Sequence, residues 1–143
     1  MKFRHSAIVC ENIDRMEEFY KIFEFKNLSA KLEVGSYIED LTKIKNNKLF
    51  WKKYVNQEGD ILELIKYENI KYKNTKNKQE VYQRGFSHIA FTVKNINLTL
   101  DSLIKKGGSI INKPIKSPDG KVLVCYAYDV EGNLLELVEE LNV

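Results

Sequence analysis

Two histidines and two glutamates stand out by type and setting. His5, in FRHSAIVCENI (Phe3 to Ile13), and His88, in FSHIAFTVKNI (Phe86 to Ile96), hold the same place in two matching segments, and the 143-residue chain has no other histidine. Glu63, in EGDILELI (Glu58 to Ile65), and Glu136, in EGNLLELV (Glu131 to Val138), share a second motif in the same way. Two imidazoles and two carboxylates make a mixed nitrogen and oxygen set suited to one divalent first-row ion (Ni, Co, Zn, Mn or Fe), with positions left for water or substrate. Taken singly, each histidine reads as a hydrogen-bonded structural residue and each glutamate as a solvated strand residue. The repeat groups them, because both types recur at equivalent places.

The elements that must position them also read twice. In Phe3 to Val9 one strand face carries Phe3, His5, Ala7 and Val9, and the other Arg4, Ser6 and Ile8. Asn12 is a helix cap, followed by Ile13, Met16, Phe19, Tyr20 and Phe23 at helical spacing. The second helix runs from about Ile96 through Leu100, Leu103 and Ile104 to the stop at Gly107-Gly108. Three strands follow in each copy: about Ala30 to Ile38, Lys48 to Val55 and Asp60 to Tyr67, then Ser109 to Ile115, Lys121 to Tyr128 and Asn133 to Glu139. Hairpin chemistry closes the last two strands at Gln57-Glu58-Gly59-Asp60 and Val130-Glu131-Gly132-Asn133.

The fold expected is therefore α+β, two tandem βαβββ modules whose mixed sheets cup a common cavity: module 1–68, connector 69–84 and module 85–143. Alternation places each glutamate on the face opposite its flanking leucines, so leucines packed under a helix send the carboxylates into the cavity. A carboxylate there is costly unless it is paired or binds a cation. Tyr37 and Trp51 fall in middle strands of the first module and, like Tyr126 and Tyr128, read as packing or rim residues. Lys43 to Lys48 reads as a solvated turn.

Composition bounds the rest. At 43% hydrophobic residues the chain can bury a core without staples. Cys10 and Cys125 lack CxxC spacing and lie in apolar runs, as core thiols do, which favours a reducing, cytoplasmic setting. No stretch approaches the roughly 18 apolar residues of a membrane span, and the start carries no signal-peptide pattern. A net charge of +3 with interspersed acids gives no phosphate-tracking stripe, so neither nucleic acid nor membrane is an expected partner. The basic run Lys66 to Lys78 reads as a solvated connector.

FRHSAIVCENIDRMEEFYK, GFSHIAFTV and DVEGNLLELVEEL together resemble the vicinal oxygen chelate superfamily of glyoxalases, bleomycin-resistance proteins and dioxygenases, over nearly the whole chain. The resemblance implies metal ligands on the first and last strands of each module, here His5, Glu63, His88 and Glu136, a set similar to that of bacterial glyoxalase I. It also implies a homodimer and a small-molecule substrate, with the modules paired within one chain or exchanged between two. A metal that binds two neighbouring substrate oxygens acidifies the adjacent C–H and stabilises an enediolate. A carboxylate at its edge then moves the proton, completing a lyase or isomerase reaction. By this resemblance Glu136 is the first choice of base and Glu63 the second. The alternative is an antibiotic-like small-molecule binder or resistance protein of the same fold without catalysis, although pure binders generally lack the ligands. Val9 stands where bacterial glyoxalase I usually has an arginine for glutathione, and Arg4, Arg15 and Arg84 are the chain's only arginines, so few bidentate clamps are available for the two carboxylates of glutathione and the substrate is left open.

Overall fold

Alternation in the first residues builds a short strand, β1 (Ser6–Val9), whose outward half is exposed and whose inward half is partly covered. The computed structural model of the protein describes residues 1–72 and 78–141. Asn12 ends the strand's connection by capping α1 (Ile13–Tyr20): its side chain accepts the Arg15 backbone N–H at 3.0 Å, satisfying one of the donors a helix start leaves open. Ile13, Met16, Phe19 and Tyr20 form the buried face of α1, and a single 3₁₀ turn over Lys21–Phe23 finishes it. Then come β2 (Lys26–Val34), α2 (Ser36–Thr42), β3 (Lys48–Val55) and β4 (Ile61–Tyr67).

These strands form a four-stranded mixed sheet in the order β1-β4-β3-β2, with β1 parallel to β4 and the other pairs antiparallel. Leu62 and Leu64 are buried on the face that α1 covers, and Leu64 is fully enclosed.

One expectation fails here. The strand expected over Ala30 to Ile38 ends at Val34; Gly35 turns the chain with φ +87°, and Ser36 to Thr42 forms a helix. Ile38 is its buried contact, and Tyr37, placed in a strand by the alternation, stands exposed on α2. Asn47, in the turn expected over Lys43 to Lys48, is buried and donates to the Thr42 hydroxyl at 3.3 Å.

The second half repeats the plan: β5 (Ile89–Thr92), α3 (Ile96–Lys105), β6 (Ser109–Ile110), β7 (Ile115–Lys116), β8 (Val122–Tyr128) and β9 (Leu134–Glu140). Asn95 caps α3 by accepting from the Leu98 N–H at 2.9 Å. Gly107, at φ +89°, ends it, with the Gly107 and Gly108 N–H groups donating to the Ile104 and Leu103 carbonyls at 2.9 and 3.0 Å.

The sheet runs β5-β9-β8-β6, with β7 also on β8, and β5 is parallel to β9. The single strand expected over Ser109 to Ile115 is two short ones. Between them the Asn112 side chain takes over from the ladder, accepting the Tyr126 N–H at 3.0 Å, and Pro114 has no N–H to continue it.

Chain contacts divide the protein into two compact units, Met1–Lys73 and Asn74–Val143. In the first, the core is α1 against β4; in the second it is Ile96, Leu100 and Leu103 of α3 over Leu135 and Leu137 of β9. Cys10 and Cys125 are buried thiols, and burial pushes the Cys125 thiol above its ordinary value. The basic connector read over Lys66 to Lys78 falls partly outside the described residues. At its two ends Lys66 and Tyr67 belong to β4, and the Lys78 ammonium donates to Ser109 Oγ at 2.7 Å. No helix among the described residues is long and apolar enough to cross a membrane.

Candidate metal centre

The hairpin closing each module sets the geometry of its glutamate. In the first, the Gly59 N–H donates to the Asn56 carbonyl at 3.2 Å and the Asn56 N–H to the Asp60 carbonyl at 3.2 Å; in the second, Gly132 and Asp129 with Asn133 make the same bonds at 3.2 and 3.0 Å. Glycine at φ +87° and +90° supplies the left-handed residue this turn requires. Asp129 is buried and fastens the second turn further, its Oδ1 accepting the Glu131 and Asn133 N–H groups at 2.9 Å each. Equal turns give equal registers: Lys53 stands opposite Glu63, and Tyr126 opposite Glu136.

The parallel neighbour supplies the histidine. Ala7 pairs with Glu63 and Ala90 with Glu136, so in both units a small residue lies beside the carboxylate, and the histidine two residues earlier projects from the same face. Each histidine is the residue immediately before its regular strand, His5 before Ser6 and His88 before Ile89. His5 Nε2 lies 3.0 Å from Glu63 Oε2, and His88 Nε2 lies 2.7 Å from Glu136 Oε2. The alternation argument holds for the glutamates: their flanking leucines are buried under the helices, and the carboxylates occupy the other face.

The two pairs differ in their surroundings. Glu63 is held through both oxygens, its Oε1 lying 3.5 Å from the Lys53 ammonium, and its side chain is 11% exposed. The Glu136 side chain is 22% exposed. Lys53 Nζ also sits 4.5 Å above the centre of the Trp51 ring, whose N–H donates to Glu33 at 3.3 Å. In the second unit the Tyr126 ring meets His88 edge to face at 5.4 Å, and Ser87 Oγ lies 3.0 Å from His88 Nδ1. Gln79 anchors the approach to His88, its amide donating to the Phe86 and Ser87 carbonyls at 2.9 and 2.6 Å. Ser87, Gln79 and Lys53 were not singled out from the sequence. For Lys53 a signal existed, since the Asn56 to Asp60 turn dictates its pairing with Glu63.

The donor atoms suit a divalent ion. Both contacts are at hydrogen-bond distance, and a similar spacing, about 3.0 Å, separates neighbouring positions of a six-coordinate ion with ligands at about 2.1 Å. The atoms that meet are an imidazole nitrogen and a carboxylate oxygen, both competent ligands. The structure thus brings His5 together with Glu63, and His88 together with Glu136, one pair in each unit. No group of three or more His, Cys, Asp or Glu able to hold a metal occurs among the described residues. A cavity of about 570 Å³ lies elsewhere in the first unit, lined by Glu17, Lys21, Lys26 and Tyr54 among others, and includes none of the four candidates.

Comparison with known proteins agrees with this architecture. A glyoxalase family protein from Bacillus cereus shares the fold at a TM-score of 0.91 and 21% identity, over 99% of this chain and 95% of that one. Glyoxalase I from Zea mays matches at a TM-score of 0.67 and 18% identity, over 97% of this chain and 44% of that one. The fosfomycin resistance protein FosX from Listeria monocytogenes, in a crystal with Mn(II) and sulfate, matches at 0.62 and 13%, over 98% and 93%. No curated protein matches the sequence. A family model covers residues 2–137, and on that match, with its two α+β modules, the chain belongs to the Glyoxalase/Bleomycin resistance protein/Dioxygenase superfamily.

Proposed function

We propose that the protein is a metal-dependent lyase or isomerase of the glyoxalase type, with His5, Glu63, His88 and Glu136 as ligands of one divalent ion. The observation that carries this reading is the equivalence of the two His–Glu pairs, each at the spacing of adjacent coordination positions. The fold relatives include glyoxalase I and a Mn(II)-containing FosX, which supports a metal in the same kind of module.

When bound, the ion supplies Lewis-acid polarisation of a substrate carbonyl. The protein's own residues divide the remaining work. Glu63, the more enclosed of the two carboxylates, stays in place as a ligand, while the more exposed Glu136 takes the proton from the carbon next to the carbonyl and returns it to its neighbour. Ser87 at Nδ1 keeps the His88 ring oriented with Nε2 toward Glu136. The reading includes a homodimer, which sedimentation checks.

The test is the metal-loaded protein with the hemithioacetals of methylglyoxal, formed with glutathione and with a small thiol, followed by NMR in deuterated water. Wild type is expected to convert one of them or exchange its C–H. Glu136→Gln should lower that rate by about a hundredfold or more while elemental analysis still finds metal. Full activity in Glu136→Gln would sink the assignment of the base. A wild-type protein that takes up no metal would move the reading to a non-catalytic binder of the same fold.

A further inference from the structure

The internal repeat breaks at the position beside each carboxylate. Equal hairpin registers put Lys53 opposite Glu63 in one unit and Tyr126 opposite Glu136 in the other. Lys53 lies on the same sheet face as His5 and Glu63, is 23% exposed at its side chain, and has its ammonium located by two contacts, Glu63 Oε1 at 3.5 Å and the Trp51 ring at 4.5 Å. Tyr126 brings no fixed charge beside Glu136 and lies against the His88 ring.

A divalent ion on Glu63 takes over the charge that now balances Lys53. A partly enclosed ammonium beside that ion is then short of a counter-charge, and a neutral substrate would leave it so. We infer that Lys53 is a specificity-determining residue that selects an acidic substrate, a small molecule with a carboxylate or phosphoryl head next to a carbonyl or hydroxyl oxygen. The inference rests on the metal reading of the preceding section and adds the substrate class. A single lysine serves a compact head of this kind, in a chain with only three arginines for bidentate clamps.

The experiment uses the full chain loaded with Mn(II) and titrated with oxalate, inorganic phosphate and, as an uncharged metal ligand, imidazole. Lys53→Met keeps the apolar stem and its packing on Trp51. It should weaken oxalate or phosphate binding by about tenfold, the scale of one charge-assisted hydrogen bond, and leave imidazole unchanged. Whichever anion loses more identifies the head group. Lys53→Arg should keep both anions within about threefold of wild type. Lys53→Met should hold Mn(II) at least as tightly as wild type, since a cation competing for Glu63 is gone. Metal uptake with unchanged anion affinities overturns the Lys53 assignment alone, as does an equal loss for imidazole. Failure of the wild type to take up metal overturns this inference together with the proposed function.

Discussion

Replacing Glu63 by methionine separates the stability of the sheet from the chemistry of the site. The Glu63 side chain is 11% exposed on β4, between Leu62 and Leu64, which pack on the opposite face and are untouched by the change. Its partners can each reach water: the side chains of His5 and Lys53 are 25% and 23% exposed, and Lys53 keeps the Trp51 ring. Desolvating a charged cluster costs about what its attraction returns, so an apolar residue of similar volume should leave stability in chelator within about 1 kcal/mol of wild type, on either side. Metal changes the comparison. A ligand present at a hundred times its dissociation constant stabilises the native state by about 2.7 kcal/mol, which in a chain of this size raises Tm by roughly 8 °C. Scanning calorimetry in chelator and in excess Mn(II) or Ni(II) measures both quantities. Glu63→Met should match wild type in chelator and lose most of the metal-induced rise. A full rise in the variant would refute Glu63 as a ligand. A loss of more than about 2 kcal/mol in chelator would refute the view that this carboxylate is kept for chemistry and not for the fold.

Tyr54, buried under α1, donates to Glu17 Oε2 at 3.0 Å, and burial followed by that hydrogen bond pushes its phenol above the ordinary value of 10.0. Its folded pKa is raised, so its contribution is intact below pH 10 and is lost as the pH climbs beyond that; Lys52, raised by the same Glu17, declines over a similar range. Tyr54→Phe should cost about 1–2 kcal/mol at neutral pH and flatten the fall of Tm above pH 10, whereas an unchanged alkaline profile would contradict the assignment. At the two hairpins, Gly59→Ala should cost about 1 kcal/mol from the left-handed backbone alone, since an added Cβ meets nothing within 4 Å. Gly132→Ala should cost more, because its Cβ would lie 3.2 Å from Lys78 Cα, and equal denaturation midpoints for the two variants would argue against that contact.

Consecutive residues carried much of the architecture. Alternation assigned Glu63 and Glu136 to the face away from their leucines, and Asn12 and Gly107 marked helix ends, because these features depend on local backbone geometry and on side chains within a turn of one another. The internal repeat groups His5 with His88 and Glu63 with Glu136 by position along the chain alone. Where local preference was ambiguous the folded chain decided. Ser36 to Ile38 read as the end of a strand, yet Gly35 at φ +87° turns the chain and Ile38 finds its burial on a helix. The edge strand after α3 divides because the Asn112 side chain substitutes for backbone pairing, a competition that periodicity does not encode. The site shows the same division. Residue types and the repeat determined which four side chains could serve a metal, since those are properties of the chain itself. Tertiary structure decided that each histidine meets its glutamate nitrogen to oxygen, because those contacts arise only when the parallel pairing of β1 with β4 and of β5 with β9 brings residues distant in sequence onto one face.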